Sequence, residues 1–449
     1  MRPYREYVPD QAFLVPPSLA EMIPEGDPVF FLRDVLGRLD FEPFHRSYRS
    51  ERGQPPYHPE LMVGLYLYGA MRRTYSSRRL AELCQRDVAC IYLVGRATPD
   101  YHTVGEFRQR FTAELKGLFL QVLVLCREAG LVRLGHVSLD GTKVRANASK
   151  HKAMSYGRML QKEPVLEAEI ARWLEEGQRQ DAEEDAEHGP DDDGWSLPEE
   201  LKETSRRLER IRQGKARLEE LARQKAVAEG KDPDDVNVPE RAQTNFTDPE
   251  SRIMLSKPDG WVQGYNVGAV VDDTAQVIVA TAVTAETTDT RSLPALVDQV
   301  RANTGRSPRR VLADAGYASD DNLAALDDRG IDAYIAAGRD RHGTPPPPPR
   351  GRIPTGLSRR ERMGRKLRTK AGRAHYARRK TIVEPVFGQI KEARGFRRFS
   401  LRGLEAVQAE WMLVAAVHNL GKLFSSGRAG RVLAGQAIGS RPALGGAFA

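Results

Sequence analysis

Asp140 has a residue type and a position that could bind a metal ion. It follows residues 136–139, an apolar run typical of a buried strand, and the two-residue period of a strand places Ser138 and Asp140 on the same face. An ionised aspartate inside a strand needs a metal, a cation or several hydrogen bonds to offset its desolvation. The alternative is that Asp140 opens a turn at Gly141.

Asp314 is the second carboxylate in such a position. It ends a short apolar run, residues 311–313, within a region where predicted strands alternate with predicted helices. This alternation predicts an α/β sheet, and reactive groups in such sheets gather at the carboxyl ends of the strands. We therefore expect Asp314 to lie at the functional edge of the sheet.

Glu384 lies in a segment with a helical pattern. In a helix, Glu384, Gly388 and Lys391 share one face at spacings of four and seven residues, and Lys391 and Arg394 can reach phosphates. Pro385 must either kink this helix or lie in its first turn.

Length and composition limit the number of structural units and the class of protein that this sequence can form. The chain has 449 residues, a formal net charge of +8 and 40% hydrophobic residues, which suggests roughly two to four structural units. Its three cysteines, Cys84, Cys90 and Cys126, lack the spacing of a zinc site, so we interpret them as reduced core thiols. No apolar run is long enough to span a membrane and no signal-peptide pattern is present, so we expect a soluble, intracellular protein.

Residues 1–130 are predicted to form an all-α domain. Short helices with arginines outside them, Arg78 and Arg79 among them, are compatible with a helix-turn-helix-like DNA-binding unit or with an ordinary helical bundle. Asp100 or Thr103 is the expected cap of one helix, with Glu106 placed for a capping box with Thr103.

Residues 151–244 are polar, and they are interpreted as an inserted helical hairpin or short coiled coil with a disordered acidic tip at 181–193. Two strands, 262–271 and 276–283, are expected to form a hairpin, followed by a helix from about Ser292. Residues 131–150 and 245–424 together would form the sheet domain, and residues 425–449 a flexible tail.

Positive charge is concentrated between residues 350 and 380. This stretch follows the prolines 345–349, which favour an extended chain, and residues 340–375 are predicted to be a basic linker. So dense a run of one sign repels itself unless a polyanion neutralises it, so a phosphate backbone is the favoured partner.

Three ordered motifs carry a resemblance to a known family. They are VSLDGTKVRA, VLADAGYAS and VEPVFGQIKEARGFRRFSLRG, and they resemble the core of the DDE transposases encoded by bacterial insertion sequences. The helical opening, with YSSRRLAELCQRDVACIYLVG and PDYHTVGEFRQRF, resembles the amino-terminal domain of one branch of that family. The resemblance extends from about residue 15 to residue 424, except over the insertion.

This resemblance implies an α/β fold with an RNase H-like mixed sheet flanked by helices. It implies that Asp140, Asp314 and Glu384 bind two divalent ions, normally Mg²⁺ with Mn²⁺ able to substitute. We assign Asp140 as the bridging ligand, with Asp314 and Glu384 each holding one ion.

The resemblance also points to DNA-binding residues around the glutamate. Lys391 has the spacing from Glu384 that is familiar in relatives, whereas Tyr376 and Arg379 stand one residue further upstream than is common. Arg378 and Lys380 complete the expected contacts to DNA.

The expected function is transposition of DNA. The chain would recognise the terminal repeats of its element in double-stranded DNA, nick the 3′ ends and join them to a target, working as a homodimer in the cytoplasm at the nucleoid. One alternative is a metal-dependent endonuclease of the same fold without strand transfer, and another is a domesticated DNA-binding remnant.

Two further sites have simpler interpretations. Asn147 either touches DNA or ends the strand, and the sequence leaves both open. For His418, Asn419 and Trp411, in the apolar helix 404–424, packing and local hydrogen bonding are expected.

Overall fold

The structure is a computed structural model that describes residues 17–48, 55–188, 199–256, 259–338 and 348–435. Helices precede a mixed sheet, and further helices lie between its strands and after it. Within the described ranges, no helix is both long and apolar enough to cross a membrane.

The N-terminal part is helical, as predicted. Its helices are α1 (Pro28–Leu36), α2 (Glu42–Arg46), α3 (Pro59–Met71), α4 (Ser77–Arg86), α5 (Val88–Leu93), α6 (Tyr101–Arg110) and α7 (Thr112–Glu128). Asp100 caps α6, because its side chain accepts from the backbone N–H groups of His102 and Thr103. The capping box predicted between Thr103 and Glu106 is wrong, since Thr103 lies inside the helix.

The rest of the chain alternates between strands and helices. In chain order these are β1 (His136–Arg145), β2 (Ala153–Ser155), α8 (Tyr156–His188), α9 (Glu199–Ala228), β3 (Gln243–Asn245), β4 (Arg252–Ser256), β5 (Gly260–Asp272), β6 (Ile278–Thr284), α10 (Leu293–Thr304), β7 (Arg310–Ala313), α11 (Asp320–Asp328), β8 (Asp332–Ile335), α12 (Arg359–Arg368), α13 (Lys370–Ile382), α14 (Glu384–Gly388), α15 (Leu404–Ser425) and α16 (Ala429–Leu433). A π-helical turn, Gln389–Ala393, follows α14 directly.

The main sheet has the strand order β4–β5–β1–β7–β8, and β6 also pairs with β5. β5 is antiparallel to β1, β4 and β6, whereas β1, β7 and β8 are parallel to one another. β5 and β6 form the predicted hairpin. This mixed sheet confirms the predicted RNase H-like α/β class.

One hydrophobic core joins the N-terminal helices to the sheet. α7 packs along α15, and α15 packs against β6. Leu118 and Phe119 of α7 are fully buried, and Trp411 of α15 is 1% exposed, as expected for a core residue. The predicted boundary at residue 130 therefore falls between elements that share a core.

Asn419 ties α15 to β6 by hydrogen bonds. Its Oδ1 accepts from the N–H of Ile278 at 2.8 Å, and its Nδ2 donates to the Ile278 carbonyl at 2.9 Å. Nε2 of the neighbouring His418 donates to the Gln276 carbonyl at 2.9 Å, because a carbonyl oxygen can only accept, and burial lowers the pKa of His418 to about 3. Both residues have the packing role predicted for them.

The insertion folds as a helical hairpin. α8 and α9 pack on each other around a small cluster of their own, which includes Met159, Leu208 and Ile211. The antiparallel pair β2–β3 closes its base. Residues 181–188 of the predicted acidic tip belong to α8, and residues 189–198 lie outside the described residues.

The segment predicted as a linker contains helices instead. α12 and the start of α13 fall within residues 340–375, and Ser358 with Glu361 forms a capping box at the start of α12. The prediction gave too much weight to charge, because arginine and lysine are also good helix formers. Residues 339–347 lie outside the described part of the chain.

The three cysteines, Cys84, Cys90 and Cys126, are free and buried. This agrees with their interpretation as core thiols.

Candidate active site

Asp140 lies inside β1, one residue beyond the part of β1 that pairs with β7. It stands opposite Ala269 of β5, and the strand continues to Arg145, so the alternative of a turn at Gly141 is wrong. Its Oδ1 accepts from the Gly141 N–H at 2.8 Å. Burial raises the pKa of Asp140, and the charge of Asp314 raises it further, against the lowering effects of that N–H and of Arg379.

Asp314 lies beside Asp140 at the carboxyl end of the neighbouring parallel strand. Leu139 pairs with Ala313. Asp140 is the next residue of β1, and Asp314 is the first residue after β7. Oδ1 of Asp314 accepts from the Gly316 N–H at 2.9 Å, so Asp314 caps the short 3₁₀ turn Ala315–Tyr317. Asp314 therefore lies at the carboxyl end of a strand, as expected, and next to the strand that carries Asp140.

Glu384 is linked to Asp140 by the guanidinium of Arg379. Nη1 of Arg379 donates to Oδ2 of Asp140 at 2.9 Å, and Nη2 donates to Oε1 of Glu384 at 3.1 Å. The Arg379 side chain is only 12% exposed. The three acids are thus connected in space, but a cation of the chain itself lies between two of them.

A break in the helix explains how Arg379 faces Glu384. Residues five apart on an unbroken α-helix point in different directions. Here α13 ends at Ile382, and α14 begins at Glu384 with Pro385 in its first turn. The interruption at Val383 changes the direction of the chain between the two residues, and Pro385 lies in the first turn of α14, one of the two positions expected for it.

Lys391 contacts β1. Its Nζ donates to Oγ1 of Thr142 at 2.5 Å and to the Lys143 carbonyl at 2.8 Å, and burial lowers its pKa. Lys391 therefore holds β1 two residues beyond Asp140.

Tyr376 lies one helical turn before Arg379 on α13, partly buried. Burial raises the pKa of Tyr376, and the charge of Arg379 opposes this rise. Its position next to Arg379 places it at the margin of the acidic residues.

The other predicted DNA-binding residues fall into two groups. Arg78, Arg79 and Lys380 are exposed, and Arg78 stacks over the Tyr101 ring at 4.9 Å. Arg378 is also exposed, but Nη2 donates to Oδ2 of Asp273 at 2.7 Å.

Arg394 is packed against the core. A Cβ placed on Gly421 of α15 would collide with its guanidinium, and its Nη1 is buried without a hydrogen-bond partner among the described residues. Tertiary packing, and not helical spacing alone, therefore sets the direction of this long side chain, and its contact with phosphate stays a prediction. Asn147 donates to the Ser400 carbonyl at 2.7 Å, which favours its structural interpretation.

Asp289 was missed by the sequence analysis. It lies between β6 and α10, its Oδ1 accepts from Nζ of Lys143 at 3.3 Å, and it also accepts from the side-chain amide of Asn266. Burial raises its pKa, Lys143 lowers it, and the charge of Asp314 raises it. An acid in a polar stretch just before a helix resembles a cap, so the sequence gives no signal for its true contacts.

The chemistry of the acidic residues fits a hard divalent cation. Carboxylate oxygens are the ligands that Mg²⁺ and Mn²⁺ prefer, and Asp140 and Asp314 each follow one member of the cross-strand pair Leu139 and Ala313. Across the described ranges, no three His, Cys, Asp or Glu side chains are grouped closely enough to hold an ion. Arg379 instead bridges two of the acids, Asp140 and Glu384.

Two family models match the chain. Residues 238–420 match a model described as a transposase DDE domain, and residues 17–110 match one described as a transposase domain. The first match contains Asp314 and Glu384, whereas Asp140 lies upstream of it, across the hairpin of α8 and α9. No curated protein and no solved structure matched the chain.

Proposed function

Because the chain belongs to the DDE transposases, we propose that it cleaves DNA at the terminal repeats of its element and joins the cleaved ends to target DNA. The observation that carries this proposal is the pair of carboxylates, Asp140 and Asp314, which directly follow the paired residues Leu139 of β1 and Ala313 of β7. Glu384 is linked to Asp140 through the guanidinium of Arg379.

Asp140, Asp314 and Glu384 would hold the divalent ions, with Asp140 shared between them. When bound, such ions supply an activated water or 3′-hydroxyl and neutralise charge on the leaving oxygen. Mg²⁺ is the expected ion, and Mn²⁺ would substitute because it accepts the same oxygen ligands.

Residues of the chain would orient the acids and the DNA. Lys391 fixes β1 next to Asp140, so it acts on the position of a ligand. Arg379 has five N–H donors in a planar fork, which suits phosphate as well as carboxylate, so it would contact the DNA backbone once it leaves Asp140 and Glu384. Tyr376 stands beside it on α13.

The exposed cations would bind the DNA backbone away from the chemistry. Lys380 and Arg378 project from α13, and Arg78 and Arg79 project from α4. Contacts of this kind hold the duplex in register without reading its sequence. Since transposition needs two element ends held together, a homodimer on double-stranded DNA is the proposed working form.

The test is cleavage of a plasmid that carries the flanking terminal repeats, in Mg²⁺, by the wild-type chain and by Asp314→Asn. Asparagine keeps the shape of the side chain and an oxygen for the Gly316 N–H but removes the charge needed for a cation. Asp321→Asn, which changes an exposed acid of α11, is the matched control. We expect the wild type and Asp321→Asn to cut, and Asp314→Asn to bind the ends without cutting.

Two outcomes would contradict the proposal. Equal cutting by Asp314→Asn would remove Asp314 from the ligands, and binding without cutting by the wild type would indicate a DNA-binding remnant. A strand-transfer assay with a pre-cleaved end separates a transposase from an endonuclease of the same fold, because only the transposase joins that end to target DNA.

A further inference from the structure

The carboxylate of Asp289 is directed at β1 and β5, although the residue precedes a helix. Asp289 is the cap residue of the 3₁₀ turn Thr290–Ser292, but its side chain makes no capping hydrogen bond there. Its carboxylate instead accepts from Lys143 of β1, with 3.3 Å between Oδ1 and Nζ, and from Asn266 of β5. Helix capping therefore does not account for this side chain.

The contacts of Asp289 converge on the strand pair that carries Asp140. Lys143 and Asn266 are cross-strand partners, and the pair Gly141 and Gly268 lies two residues nearer to Asp140. Asp289 binds both members of the first pair, so it clamps β1 to β5 next to the acid.

Gly141 allows Asp289 to approach the backbone of β1. A Cβ at position 141 would lie 2.8 Å from Oδ2 of Asp289, which is too close for any side chain without movement. The N–H of the same glycine donates to Oδ1 of Asp140 at 2.8 Å. Asp289 thus supports the peptide group that orients the Asp140 carboxylate.

The segment that follows Asp289 is bound to the turn after Asp314. Oγ1 of Thr290 donates to the Gly316 carbonyl at 2.7 Å. Nδ2 of Asn322 donates to the Thr290 carbonyl at 2.7 Å and to the Tyr317 carbonyl at 2.9 Å. Residues 289–290 therefore connect the backbone around Asp140 to the backbone around Asp314.

We infer that Asp289 is a positioning residue that sets the separation of the Asp140 and Asp314 carboxylates. This inference rests on the proposed function, since it assigns those carboxylates to one cation-binding site. Asp289 acts through Gly141 and Lys143 on one side and through Thr290 on the other.

The test is a double-mutant cycle between Gly141 and Asp289, with binding of Mn²⁺ to the full chain as the readout. Calorimetry would compare the wild type, Gly141→Ala, Asp289→Ala and the double variant. Each single change is expected to lower Mn²⁺ affinity about tenfold, the scale of losing a partner that orients a metal ligand. The double variant should bind no worse than Asp289→Ala, because the added methyl group then meets no carboxylate.

Two further variants control for misfolding and for the general loss of an acidic side chain as causes of weaker Mn²⁺ binding. Asp289→Asn keeps the size of the side chain, so it should fold even if Asp289→Ala does not, and it should still weaken Mn²⁺ binding through loss of the ion pair with Lys143. Asp298→Asn removes an acid of α10 that pairs with Arg329 on the surface, and it should bind Mn²⁺ like the wild type. Melting temperatures would show whether a loss of affinity follows a loss of fold.

The outcomes separate this inference from the proposed function. Additive effects of Gly141→Ala and Asp289→Ala, or wild-type affinity in Asp289→Asn, would overturn the role of Asp289 even if the chain cuts DNA. A chain that shows the expected Mn²⁺ cycle but never cuts would overturn the proposed function alone. A wild type that binds no Mn²⁺ would overturn the inference too.

Discussion

Arg379 and Asp140 form an ion pair with 2.9 Å between Nη1 and Oδ2, across 239 positions of the sequence. Both side chains are largely buried, and Nε of the same guanidinium has no hydrogen-bond partner among the described residues. Because Nη2 also binds Glu384, Arg379 neutralises part of the acidic charge that a divalent cation would otherwise meet. A cation that binds Asp140 and Glu384 must therefore replace this arginine.

Replacing Arg379 should strengthen cation binding in the absence of DNA. In Arg379→Gln, the carboxylates lose a competing cation, so Mn²⁺ affinity should rise about fivefold, equivalent to ~1 kcal/mol for a partly exposed pair. Calorimetry on the full chain measures this affinity. Arg378→Gln is the control, since its partner is Asp273 and not one of the three acids. Unchanged or weaker Mn²⁺ binding by Arg379→Gln would contradict the competition.

The pH dependence of cation binding should reflect the raised pKa of Asp140. Burial raises this pKa above the ordinary value of 3.8, and the protonated form cannot bind a cation. Mn²⁺ affinity should therefore be lost, as pH falls, at a higher pH than for an ordinary aspartate. Arg379 lowers this pKa, so Arg379→Gln should move the loss to still higher pH. If the loss of Mn²⁺ affinity moves to lower pH in Arg379→Gln, the effect of Arg379 on the pKa of Asp140 is contradicted.

Lys391 and Lys380 should differ in what they contribute to the reaction. Lys391→Met removes two hydrogen bonds to β1 and should slow cleavage while leaving DNA affinity nearly unchanged. Lys380→Met removes an exposed cation and should weaken DNA binding at low salt, with the salt-dependence slope reduced by about one. Cleavage rates at saturating DNA and binding titrations across salt concentrations measure the two effects. If Lys391→Met weakens DNA binding and leaves the cleavage rate unchanged, Lys391 contacts DNA and the positioning role is contradicted.

Asn419 should stabilise the fold because its buried amide satisfies both backbone groups of Ile278. In Asn419→Leu these two groups lose their partners, so the free energy of unfolding should fall by about 2–4 kcal/mol. Urea denaturation measures this change. Gln408→Leu, on the same helix with a single long bond of 3.4 Å to the Val283 carbonyl, should cost much less. Equal losses in the two variants would contradict the account.

A substitution in the small cluster of the α8–α9 hairpin should destabilise the hairpin without destabilising the sheet. Ile211 is 1% exposed in the small cluster of the hairpin, so Ile211→Ala should cost it about 2–4 kcal/mol. Hydrogen exchange should then quicken in α8 and α9 and stay slow in β1 and β5. Faster exchange in the strands as well would mean that the hairpin and the sheet unfold together.

The sequence predicted the features that depend on local pattern. Asp140 and Asp314 each follow a short apolar run; the strand period places Asp140 inside a strand, and the alternation of strands and helices places Asp314 at the carboxyl end of one. The hairpin of β5 and β6 and the paired helices of the insertion also follow from patterns within a few tens of residues.

The features that depend on distant contacts could not be predicted. The contact between Arg379 and Glu384 depends on a helix break at Val383, and the spacing of residues along a regular helix does not predict that break. The direction of Arg394 depends on the space left by Gly421, and the role of Asp289 depends on a missing Cβ at Gly141. Each of these contacts joins elements that only the folded chain brings together.

The packing of α7 on α15 limits which fragments of this protein can fold by themselves. A fragment that starts after residue 130 would expose the apolar side of α15 to water, so it should aggregate when produced alone. The α8–α9 hairpin, with its own cluster and a closed base, has no such dependence. The hairpin should therefore be the part of the chain that can be shortened or replaced by itself, whereas the N-terminal helices and the sheet need each other to stay folded.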